Sequence, residues 1–166
     1  MVRKILVTLI EVLLIILVVY AAITILNSIS FAEELTEMYV ICQPGDYVNV
    51  RINPSKKSQA VGYIECGESF LTDGQKQNVF IHCYGIGEAG EGWIHCGYVV
   101  EDEPVKVNRM AFSISKAKLA ARKFIGGIVR KWLKNLDKVM VYWMTDVWCV
   151  TNKGFVMTEY LEMEGN

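Results

Sequence analysis

Gly92-Trp93-Ile94 and Gly154-Phe155-Val156 decide how this chain is read. Each is a glycine, an aromatic ring and an aliphatic residue, and the interval from Trp93 to Tyr98 equals that from Phe155 to Tyr160. Upstream, Val48-Asn49-Val50-Arg51 and Leu119-Ala120-Ala121-Arg122 also correspond, each leading into an arginine. Two halves of one chain therefore carry the same weak pattern, the mark of an internal repeat. Its elements have a physical reason. The glycine lets the backbone turn where a side chain would clash, and the ring after it buries a large area against the core.

Outward from these anchors the chain reads as short β-rich runs between turn residues. Met38 to Cys42 ends at Pro44-Gly45-Asp46; Tyr47 to Arg51 alternates and ends at Asn53-Pro54-Ser55. Val61 to Glu65 and Ser69 to Leu71 flank Gly67, and Asn78 to Tyr84 with Trp93 to Cys96 reads as a hairpin across the loop Gly85 to Gly92. In the second half Leu136 to Trp143 alternates, and Trp148 to Val150 with Gly154 to Val156 makes another hairpin turning at Thr151-Asn152-Lys153. Strands this short and evenly spaced favour small barrels over βαβ units. One stretch dissents: taken alone, Ser115 to Phe124 has the apolar spacing of a short amphipathic helix. The expected fold is all-β, two small barrels in tandem over residues 37–103 and 104–166, with the boundary at Glu101 to Pro104.

At these residues the chain resembles the bacterial SH3 (SH3b) family, whose pattern is Val-Asn-Val-Arg, a Pro-Ser turn, a glycine before the second strand, then Gly-Trp-Val and Tyr-Leu. The first copy carries Val48 to Arg51, Pro54-Ser55, Gly62, Gly67, Gly92-Trp93-Ile94 and Tyr98. In the second, about Lys118 to Leu161, Phe155 replaces the tryptophan, Leu136 stands where a turn glycine is common, and the Pro-Ser turn is missing. The other reading of that half is a β-rich extension packed on the first barrel. The resemblance implies SH3-like barrels that bind cell-wall components. Wall-degrading cysteine peptidases often carry such modules, but no length is left here for their catalytic domain. Most matched residues make the fold, so they speak to architecture before function.

Arg3 and Lys4 precede a run from Ile5 to Leu26 that only Glu11 interrupts, followed by Ser30-Phe31-Ala32. A basic start, an apolar core and small residues three apart make an export signal cleaved after Ala32. The run is also long enough to stay as a membrane anchor. Residues 1–32 are expected to be one or the other, forming a hydrophobic helix. Either way, positive charge held inside places the body outside the cytoplasm, extracellular or in the envelope.

The net charge is −1, but its distribution is uneven. From Glu33 to Glu103 there are twelve acids against four bases, a balance of −8; from Pro104 onward five acids face eleven bases, a balance of +6. Lys118, Arg122, Lys123, Arg130 and Lys131 belong to a stretch that holds no acid until Asp137. Exposed cations at this density attract an anionic polymer or a membrane surface, unless docking against the acidic half consumes the field. Nucleic acid is not an expected partner of an exported chain. In the first copy, Tyr47, Asn49, Arg51, Tyr84, Trp93 and Tyr98 are the candidate ligand-binding residues. Small-barrel grooves pair aromatic faces with a few polar contacts.

Ile-His-Cys occurs twice, at Ile81-His82-Cys83 and Ile94-His95-Cys96. Adjacent strand residues point to opposite faces, so neither zinc binding nor a cysteine–histidine dyad is expected, and no cofactor or metal is assigned. Cys42, Cys66, Cys83 and Cys96 read as buried thiols or as a disulfide, with three full pairings open; Cys149 beside Trp148 reads as a small hydrophobe. No competent catalytic set is present. The expectation is a non-catalytic exported protein that recognises peptidoglycan peptide or anionic wall polymer. The alternative is a membrane-anchored interaction module of an envelope assembly.

Overall fold

The computed structural model describes residues 12–23, 35–86 and 90–165. Residues 12–23 are helical. Among the described residues no helix is long and apolar enough to cross a membrane. Arg3, Lys4 and the Ser30-Phe31-Ala32 site lie outside them. Every strand belongs to a second unit, Leu35–Asn166.

The chain beyond the helix is mostly β, in two antiparallel sheets. The first holds β1 (Thr36–Val40), β2 (Tyr47–Arg51), β3 (Ala60–Glu65), β4 (Ser69–Thr72), β5 (Lys76–Gln77), β6 (Phe80–Tyr84), β7 (Glu91–His95) and β8 (Val99–Val100). Their order is β3-β2-β7-β6-β4-β1-β8, with β5 paired to β6. The second holds β9 (Val105–Ser113), β10 (Leu119–Arg122), β11 (Val129–Leu133), β12 (Lys138–Met144), β13 (Trp148–Thr151), β14 (Gly154–Met157) and β15 (Leu161–Met163). Their order is β11-β10-β14-β13-β12-β9-β15. With β9 standing for β1, β10 for β2 and so on, β5 apart, the two orders coincide.

The correspondence reaches single hydrogen bonds. Gly67 N–H donates to Val40 O, and Leu136 N–H donates to Ser113 O. Glu68 Oε2 accepts from Glu65 N–H at 2.9 Å, as Asp137 Oδ2 does from Lys134 N–H at 2.8 Å. Arg51 Nη1 donates to Ser58 O and Arg122 Nη1 to Gly127 O, each closing the turn after its strand. Both sheets run from their glycine–ring strand into a 3₁₀ turn, Cys96–Tyr98 and Thr158–Tyr160. The two motif glycines have a steric reason. A Cβ on Gly92 lies 3.0 Å from Arg51 O, and one on Gly154 (φ +130°) lies 2.4 Å from Arg122 O.

The helix that the spacing from Ser115 to Phe124 suggests when taken alone is not formed, and the repeat's match of Leu119–Arg122 to the strand Val48–Arg51 holds. Leu119 and Ala121 are buried while Ala120 and Arg122 turn the other way, so Leu119–Arg122 is a strand between β11 and β14. Pairing on both sides outweighs the helical spacing, because strand preference is set mainly by neighbours. Residues 123–128 form the turn instead, with Gly126 at φ +70°.

Each sheet encloses its own apolar cluster: Val40, Val48, Val50, Ile64, Phe70, Ile81, Cys83 and Ile94 in the first, Ala111, Leu133, Val139, Val141, Cys149 and Val156 in the second. A third cluster joins them, built on Ile41, Val100, Val150 and Phe155 and flanked by Tyr98, Ile125 and Trp143. Phe155, which replaces the tryptophan of the first copy, is a buried member of this seam.

Candidate functional site

Tyr47, Asn49 and Arg51 alternate with the buried Val48 and Val50, so all three leave β2 on the face opposite the core. The two Ile-His-Cys tripeptides meet on the adjoining strands, with Ile81 opposite Ile94, Phe80 opposite His95 and His82 opposite Trp93. Both isoleucines face the core, and both histidines therefore share the outer face with Asn49 and Arg51.

At one end of that face, the β10–β11 turn of the second sheet closes over the first. Ile125 N–H donates to Gly97 O at 2.9 Å. The Phe124 ring meets the His95 ring edge-on, 4.9 Å between centroids, and stands 5.7 Å from Tyr98. Gly97 and Gly127 are small for this contact, since a Cβ on either falls within 2.7 Å of the Phe124 ring. Lys56 Nζ lies 5.7 Å above the same ring.

The result is a groove of about 420 Å³ whose walls come from both sheets. Tyr47, Asn49, Arg51 and Tyr98 of the candidate aromatic set line it, together with Lys123 and Arg130 of the basic stretch. Its cations are Arg51, Lys56, Lys123 and Arg130, against one acid, Asp46. Of its lining residues, Tyr47 packs its ring 5.1 Å from that of Tyr63, both exposed. The remaining candidates fall elsewhere. Lys118 and Lys131 are exposed but do not line the groove, and Arg122 is engaged with Gly127 O.

His95 lies at the groove with 9% of its surface exposed. Its Nδ1 accepts from Gly97 N–H at 3.0 Å, so in the neutral ring the proton sits on Nε2. Among the described residues no partner is placed on Nε2. Burial first, and Lys56 second, hold His95 below the ordinary imidazole range. In the sequence His95 reads only as a metal ligand or dyad member, and Phe124 only as part of a helix. The Gly126-Gly127 pair after Arg122, where the first copy has Pro54-Ser55, was the available sign of a turn.

Tyr84 and Trp93 gather at the other end, around His82. With the Asp73 carboxylate as partner, His82 Nδ1 is the protonated nitrogen and donates to Oδ2 at 3.0 Å, where Tyr84 Oη donates at 2.9 Å. The Asp73 side chain is fully buried and also accepts from Gln75 N–H at 2.9 Å. Burial alone lifts its carboxyl, but these hydrogen bonds outweigh it and hold Asp73 below the usual range. The His82 ring packs between Tyr84 at 4.7 Å and Trp93 at 4.9 Å. The core position expected of the motif ring is therefore not taken by Trp93, which is half-buried on the outer face, outside the core clusters, because its strand neighbours Gly92 and Ile94 hold the inward side.

All five cysteines are free thiols. Cys83 turns into the core and donates to Gly92 O; burial, then Asp73, push it up to about 12. Cys66 Sγ accepts from Cys42 N–H and donates to Cys42 O, each at 3.0 Å. That contact raises the Cys42 thiol and lowers that of Cys66. Cys149 is buried and pushed up by burial. Among the described residues no three His, Cys, Asp or Glu side chains converge to hold a metal.

No protein-family model matches the sequence, and no curated protein matches it. Among solved structures the chain is similar to NlpC1 and NlpC2 from Trichomonas vaginalis, each at 13% identity and a TM-score of 0.34. The alignments cover 77% and 78% of this chain and 45% and 48% of theirs, so it spans about half the length of those proteins. A likeness this slight carries no weight for fold or function.

Proposed function

We propose that this chain is an exported, non-catalytic binding protein that recognises cell-wall components, with a body of two SH3b-like modules in tandem. The shared strand order and the matching Arg51 and Arg122 turns support the tandem reading. One observation carries the binding reading. The groove between the sheets gathers aromatic rings and four cations from both halves at one place. Rings give a sugar or peptide a face to lie on, while cations attract anionic groups without holding a reacting atom. His95 is packed among Phe80, Tyr98 and Phe124, and His82 among Asp73, Tyr84 and Trp93, and among the described residues no serine, threonine or cysteine hydrogen-bonds either ring.

Co-sedimentation with purified cell wall tests the proposal. The chain is expected in the pellet, with partial release as salt rises and screens the cations. Chain that stays in the supernatant at low and moderate salt alike overturns it.

A further inference from the structure

We propose that the groove between the sheets holds an anion-binding subsite for a phosphate group, with His95 Nε2–H donating from its floor and Lys56, Lys123 and Arg130 closing around it. The inference rests on the binding role proposed above and names the chemistry that role recognises. Its starting point is a polar group nine-tenths buried with one nitrogen committed and the other not. Gly97 N–H occupies Nδ1, which leaves Nε2–H for whatever enters the groove. Among the described residues Ser113 Oγ alone is buried without a partner, so Nε2–H is reached by solvent from the groove, and a phosphate oxygen takes the place of water there.

Charge then selects the acceptor. Four cations against the single Asp46 leave an excess of three positive charges around one small space. A neutral or zwitterionic peptide leaves most of that charge unmatched, whereas a phosphate presents several acceptor oxygens and full negative charge to it. Arg51 spends Nη1 on Ser58 O, so the mobile charge comes from Lys56, Lys123 and Arg130, all exposed. Tyr47 and Tyr98 line the same groove and give the group carrying the phosphate a surface to lie against. A bound phosphate also favours protonation of His95, whose charged surroundings are otherwise Lys56, Arg51, Lys123, Arg130 and Asp46, with the Tyr98 phenol beside the ring. Phosphate binding and proton uptake at His95 are therefore linked.

The chain has only two histidines, which makes the test direct. The full chain, labelled with ¹⁵N at histidine and held in mild detergent, is titrated with inorganic phosphate against chloride at constant ionic strength. Saturable movement of the His95 ring signals is expected, with its titration midpoint raised by about one pH unit and His82 unmoved. Lys56→Gln, an exposed change that leaves the fold alone, is expected to weaken phosphate binding several-fold. His95→Asn keeps an acceptor for Gly97 N–H, removes the outward donor and is expected to weaken it further. An unresponsive His95, or equal movement of both histidines, overturns the subsite.

Wall sedimentation separates this failure from that of the broader reading. Walls that retain a chain whose His95 ignores phosphate sink the subsite alone. A His95 that answers phosphate in a chain that ignores walls sinks the wall reading and leaves the subsite. Displacement of inorganic phosphate by phosphodiester wall polymer assigns the source to the wall, and displacement by phosphatidylglycerol vesicles assigns it to a lipid headgroup. Displacement by an uncharged wall peptide alone overturns the phosphate assignment.

Discussion

Leu136 holds φ at +62° while largely exposed, and Gly67 holds +91° at the matching turn of the first sheet. A side chain there strains against its own backbone by about 1–2 kcal/mol, part of which glycine returns through its freer unfolded chain. Leu136→Gly is therefore expected to stabilise the protein by about 0.5–1 kcal/mol, read as a higher urea midpoint at unchanged slope; a lower midpoint contradicts the turn equivalence. The absence of a glycine at Leu136 is visible in the sequence, and so is the turn it interrupts. Other single residues are harder to read. Trp93 and Phe155 hold the same place in their sheets, yet one packs on His82 outside the core and the other is buried in the seam. What covers a ring comes from chain distant in sequence, and no local pattern records it.

Strands differ in how plainly they announce themselves. In β2 a clean alternation, Val48 and Val50 in, Asn49 and Arg51 out, is legible because one face is buried along its whole length. In β9 only Ala111 and Ser113 are buried, at its C-terminal end, so nine residues of strand leave little periodic trace. β10 was ambiguous because its small apolar residues satisfy helical and strand spacing together, and pairing decided the matter. The candidate groove was legible in part: Tyr47, Asn49 and Arg51 follow from alternation along β2, whereas Phe124 and His95 meet only because a turn of one sheet crosses the other. The segment between β4 and β6 supports a pH prediction. Asp73, buried under Gln75, His82 and Tyr84, has its folded-state pKa depressed. Its stabilisation is present above the unfolded carboxylate value of about 3.9 and lost as pH falls through the folded one. Asp73→Asn is expected to lower stability at pH 7 and flatten its decline below pH of about 4, measured by thermal melts across pH; an unchanged acid limb counts against it.

The seam decides whether the whole body unfolds as one. Phe155 packs with Ile41, Val100 and Val150, and its ring stands 6.0 Å from Tyr98 of the first sheet. Truncating a buried phenylalanine costs about 3–5 kcal/mol. Because Phe155 touches both halves, Phe155→Ala is expected to broaden or split the thermal transition as well as lower it, by calorimetry. A single sharp transition, merely shifted, places the coupling elsewhere in the seam. Two sheets of one strand order ordinarily offer the same surface twice. Here the turn that carries Phe124 crosses onto the first sheet, and its counterpart around Pro54 carries no ring that crosses onto the second. The pair of sheets is thus polar, with a front and a back that are not interchangeable. Whatever occupies the junction counts once per chain, and a chain carrying the two sheets in reverse order is expected to lose the cleft.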